Sequence, residues 1–114
     1  MERVVLKTLL RLTRHAYLEE QRDYLEKRFG VLTVIQHPQS VTAEDMRKLR
    51  DKYQPDLVEV VLPFHLIGQA LEVFSPIPVI KAVMKRSVLE GGRIQHSFSH
   101  YEQIKSITVD IVPL

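Results

Sequence analysis

Three of the five histidines in this 114-residue chain directly follow apolar runs. His15 closes Thr13-Arg14-His15, His37 sits in Gln36-His37-Pro38, and His65 sits in Pro63-Phe64-His65. An imidazole with an ordinary pKa takes or gives a proton near neutrality. The Arg14 guanidinium offers a planar fork that matches two phosphate oxygens. These residue types point to acid–base chemistry on an anionic, phosphate-bearing ligand. His15 and His65 are the candidate proton-transfer residues; Thr13, Arg14, His37 and Phe64 are the candidate binding residues. A second chemistry is open to the same residues, because three histidines can hold a catalytic zinc with one position free. The bland reading stands beside both: a loop histidine is ordinarily a solvated surface residue, and Arg14 and Arg86 are ordinarily solvated charges.

Other chemistries are excluded or unsupported. The chain has no cysteine, which removes disulfides, thiolate metal sites and cysteine nucleophiles. It has no GxxxxGK[ST], no GxGxxG and no HExxH, and Gly91-Gly92 precedes a strand rather than a helix. Nucleoside triphosphate hydrolysis and dinucleotide redox chemistry lack support, and no cofactor or metal is expected. Glu19-Glu20 and Glu44-Asp45 fall in first helical turns, where they favour the helix dipole rather than catalysis. Glu59 lies inside an apolar run and needs a partner or an edge position; Lys81 has the same problem in the fourth strand, and pairing of the two across adjacent strands would answer both. His96 and His100 are read as lying with Ile94 and Phe98 on one sheet face or interface.

Strands must position these groups. Val4 to Leu12 is a branched, apolar first strand, although Val5, Leu6, Leu9 and Leu10 also suit helical spacing. Ala16 to Arg28 reads as a charged helix stopped by Gly30 in the left-handed region. Val31 to Gln36 is the second strand. Thr42, with Asp45 three residues on and Val41 and Met46 as a hydrophobic staple, starts a helix whose buried stripe is Met46, Leu49 and Tyr53. Asp56 to Leu62 is the third strand, apolar as both faces of a parallel strand require. A short helix spans Phe64 to Val73, and Ile77 to Met84 is the fourth strand. Beyond the Gly91-Gly92 turn, Arg93 to Ser99 and Ile107 to Ile111 alternate, as antiparallel strands with one solvated face do.

This alternation of strand and helix implies right-handed crossovers. The expected fold is α/β: a Rossmann-like three-layer sandwich with a mainly parallel sheet in the order 2-1-3-4, extended by antiparallel C-terminal strands. Residues 1–114 form one domain, since 114 residues leave no room for two. In such a sheet ligands bind beyond the carboxyl ends of the strands, at the switch point between the first and third. All three strand-end histidines fall on that edge.

Composition sets the remaining bounds. Apolar residues make up 45% and charged residues 26%, an ordinary globular balance. No apolar run approaches the roughly 20 residues that span a bilayer, and Lys7 and Arg11 interrupt the only apolar stretch near the N-terminus, so neither a membrane segment nor a signal peptide is expected. A net charge of +2 indicates no large nucleic-acid groove but leaves a small polyanion possible. A cytoplasmic location is the expectation.

The stretch Leu12 to Ala16 (LTRHA) together with Leu62 to Leu66 (LPFHL) resembles the small CRISPR-associated proteins of the CARF-like, Rossmann-like group. The matching residues are Thr13, Arg14 and His15, then Leu62, Pro63, His65 and Leu66. The likeness follows the element order over roughly two-thirds of the chain and has no counterpart after Pro78. It implies a homodimer in antiviral defence that binds a cyclic oligoadenylate across its two-fold axis and, as a ring nuclease, cleaves it without metal. The competing class is a non-catalytic dimeric binding or assembly module of a prophage or defence system. Self-association fits both, because Ile94, Phe98, Ile107, Val109 and Ile111 leave apolar surface that a small sheet does not cover.

Overall fold

The computed structural model of the chain describes residues 6–108 and 111–114. Its elements are β1 (Lys7–Leu12), α1 (Glu19–Phe29), β2 (Leu32–Gln36), α2 (Ala43–Tyr53), β3 (Leu57–Val60), α3 (Phe64–Phe74), β4 (Val79–Val88) and β5 (Ile94–Ile104). The five strands form one sheet in the order β2-β1-β3-β4-β5. β1 pairs in parallel with β2 and β3, β3 in parallel with β4, and β5 runs antiparallel to β4. This is the expected α/β, Rossmann-like sandwich, and the expected order 2-1-3-4 holds. The first element is a strand, so Thr13-Arg14-His15 does follow a strand end. Val4 and Val5, which the sequence placed in that strand, lie outside the described residues.

Period-two alternation explains the two cores. Leu10, Leu12, Val58, Val60 and Val79 point to one face, where they meet Met46 of α2 and Phe74 of α3. Leu9, Leu57 and Ile80 point to the other, against Leu25 of α1 and Tyr101 of β5. Each of these side chains gains roughly 1.5–3 kcal/mol from burial. Tyr24 anchors β5 to α1 through ring contacts at 5.8 Å with both Phe98 and Tyr101.

Local signals set the helix boundaries. Thr42 caps α2 in both directions: its hydroxyl accepts from the Asp45 N–H at 3.2 Å, and the Asp45 carboxylate accepts from the Thr42 N–H at 2.9 Å. Those bonds hold the Asp45 carboxyl below its ordinary range. Val41 and Met46 are buried together as the staple. α1 starts three residues later than expected, at Glu19. Leu18 is extended, and its N–H donates to Gln21 Oε1 at 2.8 Å, so the helix begins where Gln21 can reach back. Gly30 ends α1 at φ 79°, ψ −168°, a glycine-only region rather than the left-handed helical one.

Past Ile80, β4 and β5 leave the sheet. β3 pairs with β4 only at Val58–Val79 and Glu59–Ile80, whereas β4 and β5 remain paired from Val79–Ile104 out to Val88–Ile94. The result is a two-stranded ribbon turned by Gly91 and Gly92, both at positive φ. The expected antiparallel strand Arg93–Ser99 is present as the first part of β5, whereas the expected strand Ile107–Ile111 has no strand at its described residues. β5 is one strand of 11 residues, residues 105–108 carry no strand, and Ile111 is exposed outside any element. Val109 and Asp110 lie outside the described residues. A bulge between Val83 and Met84 shifts the register, so His100 pairs with Val83 while Tyr101 turns into the core. His96 keeps the face of Phe98 and Ile94, and His100 does not share it.

Candidate functional site

The carboxyl edge of the parallel strands carries a cleft of ≈ 450 Å³. Thr13, Arg14 and His15 form one wall, Pro38 to Val41 a second, and Val61, Leu62, Pro63 and Leu66 the third. The two turns that stood out in the sequence therefore meet, although nearly fifty residues separate them. The topology causes this: β1 and β3 are neighbours in register, so the chain leaving each emerges at the same edge. Crossovers to α1 on one face and α3 on the other open the edge between them.

Arg14 and His15 are exposed. Among the described residues, the Arg14 guanidinium makes no hydrogen bond or ion pair. Thr13 is buried, and its hydroxyl accepts from the His15 N–H at 3.1 Å rather than facing a ligand. The other sequence-predicted residues lie elsewhere. His37, partly buried, follows β2 with its N–H donating to the Arg11 carbonyl at 2.8 Å. Phe64 is 74% exposed and His65 is exposed, both on the first turn of α3. None of the three lines the cleft. No group of three or more metal-ligating side chains comes together among the described residues, so His15, His37 and His65 do not form the zinc site that their number allowed.

The residue that sequence reasoning passed over is Arg11. In the sequence it interrupts an apolar run; its side chain is 0% exposed. Nε donates to Glu59 Oε1 at 2.9 Å and Nη2 to Glu59 Oε2 at 3.1 Å, a two-pronged pair across β1 and β3. Nη1 donates to Gln36 Oε1 at 2.7 Å and to the His15 carbonyl at 2.9 Å. The Gln36 amide donates to the Thr13 carbonyl at 2.5 Å and to the His15 carbonyl at 3.0 Å. Tyr101 donates its hydroxyl to Glu59 Oε1 at 2.7 Å. The Arg11 guanidinium lies 4.9 Å from the centre of the Tyr17 ring. A buried cation thus fixes the backbone of the Thr13–His15 turn, while the Arg14 and His15 side chains face outward.

The expected Glu59–Lys81 pair does not form. Arg11 and Glu59 are direct register partners, whereas Glu59 lies opposite Ile80 on β4. Lys81 projects into solvent and approaches Glu102 at 4.0 Å. One signal could have located the true pair: Arg11 and Glu59 are the single charges near the carboxyl ends of the two central strands.

Burial raises the Tyr17 hydroxyl to about 12, with the Glu59 charge second. The same two causes push Tyr101 up, burial first. Tyr17 Oη is buried without a hydrogen-bond partner among the described residues.

A second cavity of ≈ 480 Å³ lies on the α1 face of the same edge. Ala16, Leu18, Val61, Ala82 and Met84 make its walls largely apolar, and His15 and His96 are also on its lining. Arg11 and Glu59 lie at its base but are at most 1% exposed, so they brace the edge and do not meet a ligand. His15 and Val61 border both cavities.

No family model matches the chain, and no curated protein or solved structure matches it.

Proposed function

We propose that two copies of the chain bind a cyclic oligoadenylate at this carboxyl edge and cleave it by attack of a ribose 2′-hydroxyl on the adjacent phosphate. The observation that carries the reading is the single cleft lined by both turns, where Arg14 and His15 project from a backbone that buried groups hold. The Arg14 fork suits a phosphate, and the second cavity offers apolar surface within the same reach. In the reaction the 2′-oxygen forms a bond to phosphorus, and the 5′-oxygen of the next nucleotide leaves. The product is a 2′,3′-cyclic phosphate. His15 takes the 2′-hydroxyl proton, and the protonated imidazole returns one to the leaving oxygen. Arg14 stabilises the charge that builds on the phosphate. His65 lies outside the cleft lining, so His15 carries the proton-transfer role. Among the described residues no helix is long and apolar enough to cross a membrane; a cytoplasmic site of action is part of the proposal.

Exposed apolar side chains accompany the site. Val61 is 53%, Phe64 74% and Met84 43% exposed, all near the carboxyl edge or the start of the ribbon. A two-fold partner would cover them and complete a site for a two-fold ligand.

The test is calorimetric titration and product analysis with cyclic tetra- and hexa-adenylate, each with and without chelator. Arg14→Ala should weaken binding by about 1.5–3 kcal/mol, the worth of a charged hydrogen bond. His15→Ala should slow turnover about 10²–10⁴-fold and retain binding. If the unmodified protein neither binds nor cleaves either ring, the proposal fails.

A further inference from the structure

We infer that the β4–β5 ribbon is a double-stranded DNA-binding element, separate from the cleft, that enters the major groove with the face bearing Lys85, Ser87, Gln95 and Ser97. Cross-strand pairing places these four together: Lys85 lies opposite Ser97, and Ser87 opposite Gln95. The face offers one cation, two hydroxyls and a carboxamide, the side-chain types that meet phosphates and base edges. It carries no carboxylate. The opposite face holds Met84, Phe98, Val88 and Ile94, with the Arg86–His96 pair between them, so the apolar side chains of the outer ribbon lie away from the proposed DNA-facing side.

The charge distribution supports the same partner. Lys85, Arg86 and Arg93 against Glu90 leave residues 84–98 with a surplus of two positive charges, equal to the net charge of +2 on the whole chain. The remainder of the molecule is neutral overall. The low net charge gave no reason to expect a nucleic-acid groove, and the excess is in fact gathered on a protrusion. Like-charged ribbons repel, which disfavours a second copy as the occupant of this tip, whereas a polyanion is attracted.

Shape selects the kind of polyanion. The major groove of B-DNA admits a two-stranded β-ribbon. The major groove of an RNA duplex is too deep and narrow for side chains to read. The ribbon stands clear of β3 from Lys81 onward, so no other strand pairs with its outer half.

Fluorescence anisotropy with a labelled 20-base-pair DNA duplex at low and moderate salt tests this, with an RNA duplex of the same sequence alongside. Binding should fall in the range of about 10⁻⁶–10⁻⁴ M at physiological salt and weaken as salt rises, with a log–log slope of about −0.9 per phosphate contacted. Lys85→Glu/Arg93→Glu should lose at least about ten-fold in affinity at low salt, since reversing two contacts removes that much of a salt-dependent interaction. Both positions are exposed, and circular dichroism verifies that the variant is folded. Lys27→Glu/Arg47→Glu, an equal charge reversal on α1 and α2, should bind like the unmodified protein. Absence of DNA binding at low salt overturns the inference. So does equal affinity for the RNA duplex, or an equal loss in the two double variants.

Discussion

Glu59→Gln tests the buried brace most directly. The change is nearly isosteric, yet it removes the charge opposite a guanidinium that is 0% exposed. The Glu59 carboxylate accepts three hydrogen bonds, from Arg11 Nε at 2.9 Å, Arg11 Nη2 at 3.1 Å and the Tyr101 hydroxyl at 2.7 Å. The amide keeps one acceptor oxygen and turns the other position into a donor that faces a donor. Breaking one side of a buried ion pair costs about 3–5 kcal/mol, mostly because the remaining charge stays buried without compensation. A domain of this size holds roughly 5–15 kcal/mol in total, so the loss is a large fraction of it. At about 4 °C per kcal/mol, Tm should fall by roughly 10–20 °C. Urea unfolding followed by circular dichroism measures the change, with an unaltered denaturant slope showing that the folded state is as compact as before. Arg11→Met/Glu59→Leu should be more stable than Glu59→Gln, because it removes both charges and retains apolar volume. A loss below about 1 kcal/mol in Glu59→Gln would refute the claim that this pair is a desolvated, mutually dependent unit.

Gln36→Ala should leave the fold intact and release the Thr13 and His15 carbonyls. Faster amide exchange confined to residues 13–16, with a stability loss of about 1 kcal/mol, is the expected result; unchanged exchange there would contradict the holding role. Tyr17 is raised from 10.0 to about 12 by burial and then by Glu59, and Tyr101 is raised as well, so the unfolded chain ionises first as pH rises. Between about pH 10 and 12 the folded state binds more protons than the unfolded state, and stability must fall with rising pH; below about pH 10 these tyrosines contribute no slope. Urea midpoints at pH 8, 10 and 11 check this, and Tyr17→Phe should flatten the decline. Phe64→Asp should shift any dimer toward monomer in sedimentation equilibrium, while a wild-type chain that is monomeric at micromolar concentration would remove the two-fold part of the proposed function.

Much of the architecture was legible because local signals agreed with the fold. The Thr42–Asp45 box, the apolar Leu57–Val60 core of the third strand and the Gly91-Gly92 turn each name their own structure. What failed required knowledge of register. Glu59 needs a partner, and the charge placement favours Arg11, but that Arg11 and not Lys81 lies directly opposite it follows only from the register on β1 and β4, which side-chain periodicity does not give. His100 was misplaced because a bulge at Val83–Met84 breaks the alternation on which its face was judged. The helix after Thr13-Arg14-His15 begins at Glu19 and not Ala16, because Leu18 is extended and its N–H donates to Gln21, a cap that composition does not reveal. Only the two turns themselves could be paired from sequence, through the topology that neighbouring parallel strands impose.

The buried network also bears on how the two proposed surfaces relate. Tyr101 at the root of the ribbon bonds Glu59, Glu59 bonds Arg11, and Arg11 bonds the His15 carbonyl, so contiguous contacts run from the ribbon to the cleft. Contiguity alone does not make coupling, which requires an element with two arrangements that both sites bias. Tyr101, Glu59 and Arg11 are all buried, and only the turn the network ends on is exposed. Separation of Arg11 from Glu59 would strand a charge, so the contacts favour one arrangement over any second by several kcal/mol. The network is therefore a brace. It fixes the backbone from which Arg14 and His15 project, and a brace with one arrangement gives the two proposed surfaces no shared switch to bias.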